Sequence, residues 1–85
     1  MIVKIGTKKA GSYIDFIKHN PSEVLEILSK GFNNSKAVYV AAVMGEEGYR
    51  IMDFDICAED IGKREPLAVL KIVMRASNGC KDKPG

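Results

Sequence analysis

Two segments in the second half of the chain restrict its possible folds more than any other feature. In residues 52–59 and again in residues 68–75, every second side chain is apolar, and five of the eight residues between them are charged. A period of two is typical of a strand with one buried face. Residues 62–66 contain Gly and Pro and predict a turn. The two segments therefore predict an antiparallel hairpin with one apolar face, whose acidic residues lie opposite Lys71 or Arg75.

The amino-terminal part of the chain predicts a short strand and then a brief helix. Residues 2–5 are strand-like and are followed by a glycine. Residues 12–19 have helical apolar spacing, with Ser12 as the N-cap and Pro21 as the residue that forces an end. The apolar residues on one face of this helix are Tyr13, Phe16 and Ile17.

Residues 22–30 have a local pattern that favours a helix. Four apolar residues have helical spacing, Ser22 can cap the segment and Gly31 can end it. Apolar spacing alone does not distinguish a short buried strand from a helix, however.

Residues 37–44 are apolar without a break. Residues 33–35 offer capping side chains and Gly45 a terminator, which predicts a helix over residues 35–44. A helix that packs on one sheet needs a single apolar stripe, so this helix has a second face to bury, and we expect a homodimer. The alternative is a buried strand, because Val-Tyr-Val is strand-like and residues 45–48 suit a hairpin turn.

Composition sets the broad class of the protein. With 85 residues, 46% apolar and 28% charged, we expect one globular domain over residues 1–76 and a flexible polar tail over residues 77–85. The net charge of +2 is too small to indicate polyanion binding by itself. No apolar run approaches the roughly 20 residues needed to span a bilayer, and the first residues lack a signal-peptide layout. We therefore expect a cytoplasmic protein.

The sequence offers little for catalysis. Cys57 and Cys80 form no CxxC pair and lie far from His19, which argues against a zinc site. No P-loop or GxGxxG motif is present. A solvated strand face is favoured over a carboxylate or metal site for Asp53, Asp55 and Glu59. We expect no enzyme activity, no cofactor, no metal and no small-molecule substrate.

Basic residues are concentrated in predicted loops. Six of the 13 Lys and Arg residues occupy three loops, and Glu65 alone opposes them there. Because the neighbouring glycines allow the backbone to approach closely, such positions suit contacts with phosphates. These six residues are Lys8, Lys9, Lys30, Lys36, Lys63 and Arg64.

Four short stretches, residues 5–14, 22–24, 27–31 and 35–38, form a recognisable series. They contain Ile-Gly with a lysine pair and Ser-Tyr-Ile, then Ser-Glu-Val, Ile-Leu-Ser-Lys-Gly and Ser-Lys-Ala-Val. In this order and spacing they resemble the Alba family of archaeal chromatin and RNA-binding proteins. The likeness extends over most of residues 2–76.

The resemblance implies an α+β fold, a two-layer sandwich of order β-α-β-α-β-β with two helices on a four-stranded mixed sheet. It makes residues 22–29 a buried strand, against the local pattern, and it supports a helix over residues 35–44. It also implies a homodimer that binds DNA, RNA or both without marked sequence preference and that associates with the nucleoid. The alternative is a protein-interaction or dimerisation module of the same fold, whose lysines only keep it soluble.

Alba-like proteins lay lysine-bearing loops on the nucleic-acid backbone and extend their hairpins along its grooves. Thr7 stands where the family usually begins its lysine pair, Lys9 replaces a customary proline, and Phe32 replaces an arginine. These departures imply a smaller phosphate footprint. Phe32 either stacks on an unpaired base or covers the core, and we favour the core role. The resemblance implicates Lys8, Lys9, Tyr13, Lys30 and Lys36, with Lys63 and Arg64 at the hairpin tip.

Overall fold

A computed structural model describes residues 1–59 and 67–76. Its elements follow the order β-α-β-α-β-β, so the α+β sandwich implied by the resemblance is confirmed. The predicted tail and hairpin tip, including Lys63 and Arg64, lie outside the described residues. The elements are β1 (Ile2–Lys4), α1 (Ala10–His19), β2 (Val24–Lys30), α2 (Asn33–Glu46), β3 (Tyr49–Glu59) and β4 (Leu67–Ala76).

The four strands form one mixed sheet in the order β1-β2-β4-β3. β1 runs parallel to β2, with α1 as the crossover between them, and the other two pairs are antiparallel. Asp55 lies opposite Lys71, as the hairpin predicted. Arg75 lies opposite Arg50 and instead pairs with Glu23, at 3.3 Å between Nη2 and Oε2.

The segment that local pattern assigned to a helix is the strand β2. Leu25, Ile27 and Ser29 are buried in alternation, and the strand pairs with β1 on one side and β4 on the other. The local prediction of a helix was therefore wrong, and the strand implied by the resemblance is correct. Pairing on both sides satisfies the backbone of this segment, which apolar spacing could not reveal.

The first helix starts before its predicted cap. α1 begins at Ala10, and no side chain caps it, so Ser12 lies within the first turn. Of the three apolar residues predicted to share one face, Ile17 is buried and Tyr13 is half-buried, but Phe16 is 53% exposed.

The second helix is longer than predicted and is not the alternative strand. It spans Asn33–Glu46, without a side-chain cap, and Gly45 lies inside it. Gly48, with a φ of 109°, follows the helix and leads into β3. One stripe of α2 faces the core, and it consists of Ala37, Val40, Ala41 and Met44.

The predicted apolar face of the hairpin is only half covered. On β4, Leu70, Ile72 and Met74 are buried beneath the helices, whereas residues 51–58 of β3 are all exposed. A register shift between Ile51 and Asp53 leaves Met52 out of the pairing. β3 is therefore not the half-buried strand that its alternation predicted: it lies at the edge of the sheet, and the described residues leave its apolar side chains uncovered.

Candidate nucleic-acid interface

The loop between β1 and α1, residues 6–9, is held by side chains from both helices; we call it the lysine loop. From α1, the Tyr13 hydroxyl accepts hydrogen bonds from the backbone N–H of Gly6, at 2.7 Å, and of Lys8, at 3.3 Å. From α2, the Lys36 ammonium donates to the carbonyl oxygens of Gly6, at 2.7 Å, and Lys8, at 2.6 Å. Both the N–H groups and the carbonyl groups of Gly6 and Lys8 are thereby hydrogen-bonded to side chains of the helices.

The anchoring divides the predicted site residues into two groups. The side chains of Lys8 and Lys9 are exposed, whereas Lys36 and Tyr13 are half-buried and bind the loop backbone. A Lys ammonium has three N–H donors, and the two carbonyls engage two of them. Lys36 and Tyr13 are therefore positioning residues, which support the loop that presents the two exposed lysines.

The turn from β2 into α2 is fixed in a similar way. Gly31 has a φ of 58°, and a Cβ there would lie 3.0 Å from the Cδ1 atom of Leu67. Its N–H donates to the carbonyl of Ala68 at 2.9 Å. The side chain of Asn34 accepts from the Ser29 hydroxyl at 2.6 Å and donates to Ala68 at 3.2 Å. Both β2 and β4 therefore hold this turn.

Phe32 lies in this turn, and its exposure is complete, at 101%. The expectation that it covers the core was therefore wrong. The glycine before it, in the left-handed region, turns the chain so that residue 32 stands outside the packed layers. Lys30, at the end of β2, is also exposed.

A cleft of about 520 Å³ lies next to this turn. Lys4 and Lys30 contribute to its lining, together with the apolar Leu28 and Val69 and the polar Asn33. No acidic residue occurs in the stretches 4–9 and 28–36, which contain five lysines. The lysine loop, the turn and the cleft form one candidate interface for a polyanion.

Within residues 1–59 and 67–76, no three His, Cys, Asp or Glu side chains come together in a way that could hold a metal ion. Asp53 and Asp55 are exposed on β3, and Cys57 is exposed with a free thiol. His19 contacts the carbonyl of Asp15 at 2.8 Å at the end of α1. No helix in the described part of the chain is long and apolar enough to cross a membrane.

Sequence reasoning missed the residues that shape the interface. Asn34 was expected to cap α2, but its side chain connects β2 to β4. Lys4 had no assigned role, although it lines the cleft. Alternation in β1 could have placed Lys4 on the outer sheet face, but nothing in the sequence indicates the cleft.

Comparison with known proteins supports the fold. No protein-family model and no curated protein sequence matches the chain. Among solved structures, Alba from Thermoplasma volcanium is similar, with a TM-score of 0.76 and 20% identity over 88% of this chain and 99% of that one. ALBA1 from Trypanosoma brucei gives a TM-score of 0.77 and 16% identity over 94% of this chain and 72% of that one. This chain therefore has the fold of the Alba proteins.

Proposed function

We propose that the protein is a non-enzymatic homodimer that binds the backbone of DNA, RNA or both, with little dependence on base sequence. The anchored lysine loop is the observation that carries this proposal. Because Tyr13 and Lys36 hold the loop in the free protein, Lys8 and Lys9 are presented with little further ordering needed on binding. Association with the nucleoid or with ribonucleoprotein would follow from such binding.

Loop lysines suit phosphates better than base edges. An ammonium is a compact point charge, and contacts with phosphates position a protein without reading sequence. Affinity is then dominated by counterions released from the nucleic acid. The Alba fold of the neighbouring structures agrees with this assignment, although fold alone does not determine function.

The homodimer rests on an uncovered apolar surface. By register, Phe54 and Ile56 of β3 lie on the same sheet face as the buried Ile72 and Leu70, yet they are 49% and 57% exposed. α2 contacts β3 and exposes Tyr39 as well. Exposed apolar side chains of this kind are typical of an interface, and a second copy can cover them through a two-fold axis. Dimerisation would also double the number of lysine loops.

A titration against duplex DNA and duplex RNA at several salt concentrations tests the proposal. We expect log affinity to fall with log salt by roughly 0.9 for each phosphate neutralised. In the variant Lys8→Ala with Lys9→Ala, a dimer loses four positive charges, so both affinity and salt slope should decrease. Stability should change by no more than about 0.5 kcal/mol, because both side chains are exposed.

The control is Lys81→Ala with Lys83→Ala, which removes the same charge near the carboxyl terminus. Equal weakening by both pairs would mean that net charge, not the lysine loop, determines binding. Absence of binding at low salt would refute the proposed function and favour an interaction module that uses the apolar surface.

A further inference from the structure

Phe32 is the most exposed large apolar residue of the described chain, at 101%; Phe16 and Phe54 are about half exposed. A fully exposed aromatic ring contributes nothing to the core. The backbone beneath it is nevertheless well fixed, since Phe32 lies in the α region at the start of α2, next to the anchored Gly31. The fold therefore presents this ring on a rigid support.

The surroundings of Phe32 combine three further features. The cleft of about 520 Å³ is lined by Asn33, the next residue, and by Lys30, two residues earlier. Leu28 and Val69 add apolar surface to it, and Lys4 adds a second ammonium group. An aromatic ring, an amide, apolar walls and cations are the groups that bind an unstacked base and the phosphate beside it.

We propose that Phe32 and this cleft bind an unpaired nucleobase. The base stacks on the Phe32 ring, and the adjoining phosphate lies near Lys4 and Lys30. In a duplex, neighbouring base pairs cover both faces of each internal base, and opening a step to admit the ring costs unstacking energy, so the ring stacks more favourably where a base is unpaired. The inference rests on the proposed function and adds a class of ligand to it: strands that contain unpaired bases.

A second copy of the chain fits this surface less well than a nucleic acid does. Two copies that met through Phe32 would bring together the lysines of stretches 4–9 and 28–36 from both. Like charges at close range oppose such a contact, whereas a strand carrying phosphates is attracted. Charge complementarity therefore favours nucleic acid as the occupant.

The substitution Phe32→Ala tests the inference. Affinities are measured for a single-stranded RNA, a single-stranded DNA and a duplex of the same length. Single-strand binding should weaken by about 5- to 100-fold, the usual effect of removing one stacking aromatic residue. Duplex binding should change less than about twofold, and the salt slope should not change, because no charge is lost.

Two further variants sharpen the test. Phe16→Ala removes another exposed ring, on α1, and should leave every affinity unchanged. Phe32→Trp keeps a stacking surface and should retain single-strand binding. The fluorescence of a strand containing 2-aminopurine should change on binding to the native protein, because the base leaves its neighbours, and should change less on binding to Phe32→Ala.

The outcomes separate this inference from the proposed function. If Phe32→Ala weakens the binding of single strands only, whether of both RNA and DNA or of RNA alone, base stacking is supported. Equal effects on duplex and single strands, or no effect while salt-dependent duplex binding persists, overturns the inference and leaves the proposed function intact. A change of oligomeric state in Phe32→Ala would also overturn it, in favour of a contact between copies. If the native protein binds no nucleic acid, both fail.

Discussion

The substitution Tyr13→Phe removes one oxygen atom and tests whether the lysine loop is held in advance. In the native protein, the Tyr13 hydroxyl accepts one hydrogen bond from the half-buried N–H of Gly6, at 2.7 Å, and one from the exposed N–H of Lys8, at 3.3 Å. Water readily replaces the second bond, so the first dominates the loss. A net hydrogen bond plus an N–H left partly desolvated amounts to about 1–2 kcal/mol.

The assay is urea denaturation at fixed protein concentration, with a salt titration of duplex binding beside it. Tyr13→Phe should lower the free energy of unfolding by that amount. It should also weaken binding by about 3- to 10-fold, because the loop must then be ordered on the nucleic acid. The salt slope should stay unchanged, since Lys8 and Lys9 still reach their phosphates.

Tyr49→Phe is the matched control. The Tyr49 hydroxyl donates a hydrogen bond to the carbonyl of Ser22, at 3.0 Å, and accepts one from the N–H of Ser22, at 3.4 Å, away from the lysine loop. Tyr49→Phe should lower the free energy of unfolding by a comparable amount but should leave the affinity for nucleic acid unchanged. If the two variants bind nucleic acid equally well, the reasoning about loop anchoring is refuted.

Two other predictions concern α2 and the edge strand. In urea denaturation, Lys36→Met should lower the free energy of unfolding by about 1.5–3 kcal/mol, because it removes two charge-assisted hydrogen bonds. The control Lys18→Met breaks only the exposed ion pair with Glu47 and should lower it by less than about 1 kcal/mol. Equal costs would contradict a positioning role for Lys36. Light scattering at tens of micromolar should show that the native protein is a dimer. Ile56→Lys should dissociate this dimer, whereas Val24→Lys, on the other face of the sheet, should not. A monomeric native protein would contradict the proposed interface.

Much of the fold was predictable where a periodic pattern and the packing agree. The alternation over residues 68–75 predicted the buried face of β4, and the apolar run over residues 37–44 predicted α2. The pattern over residues 22–30 misled because strand pairing on both sides, a tertiary property, overrides local helical spacing. β3 was predicted as a strand but not as an exposed one, since an edge position is set by topology.

The candidate site was predictable in its charges but not in its geometry. Glycine-flanked lysines in loops indicated a phosphate surface, and Lys8, Lys9 and Lys30 are indeed exposed. The role of Lys36 was not visible, because its carbonyl partners lie 28 and 30 residues away in sequence. Phe32 was assigned to the core because apolar residues are usually buried, and only the turn at Gly31 shows why it is not.

A net charge of only +2 is compatible with polyanion binding when positive charge is concentrated at one place, and the contacts of Lys36 contribute to this at the lysine loop. Elsewhere, Lys18 and Arg75 pair with the carboxylates of Glu47 and Glu23. Lys36 instead binds neutral backbone carbonyls while it holds the lysine loop, so these contacts bring no negative charge beside its ammonium group. The contact that orders the loop thus also adds to its positive potential, which an ion pair in the same place would cancel.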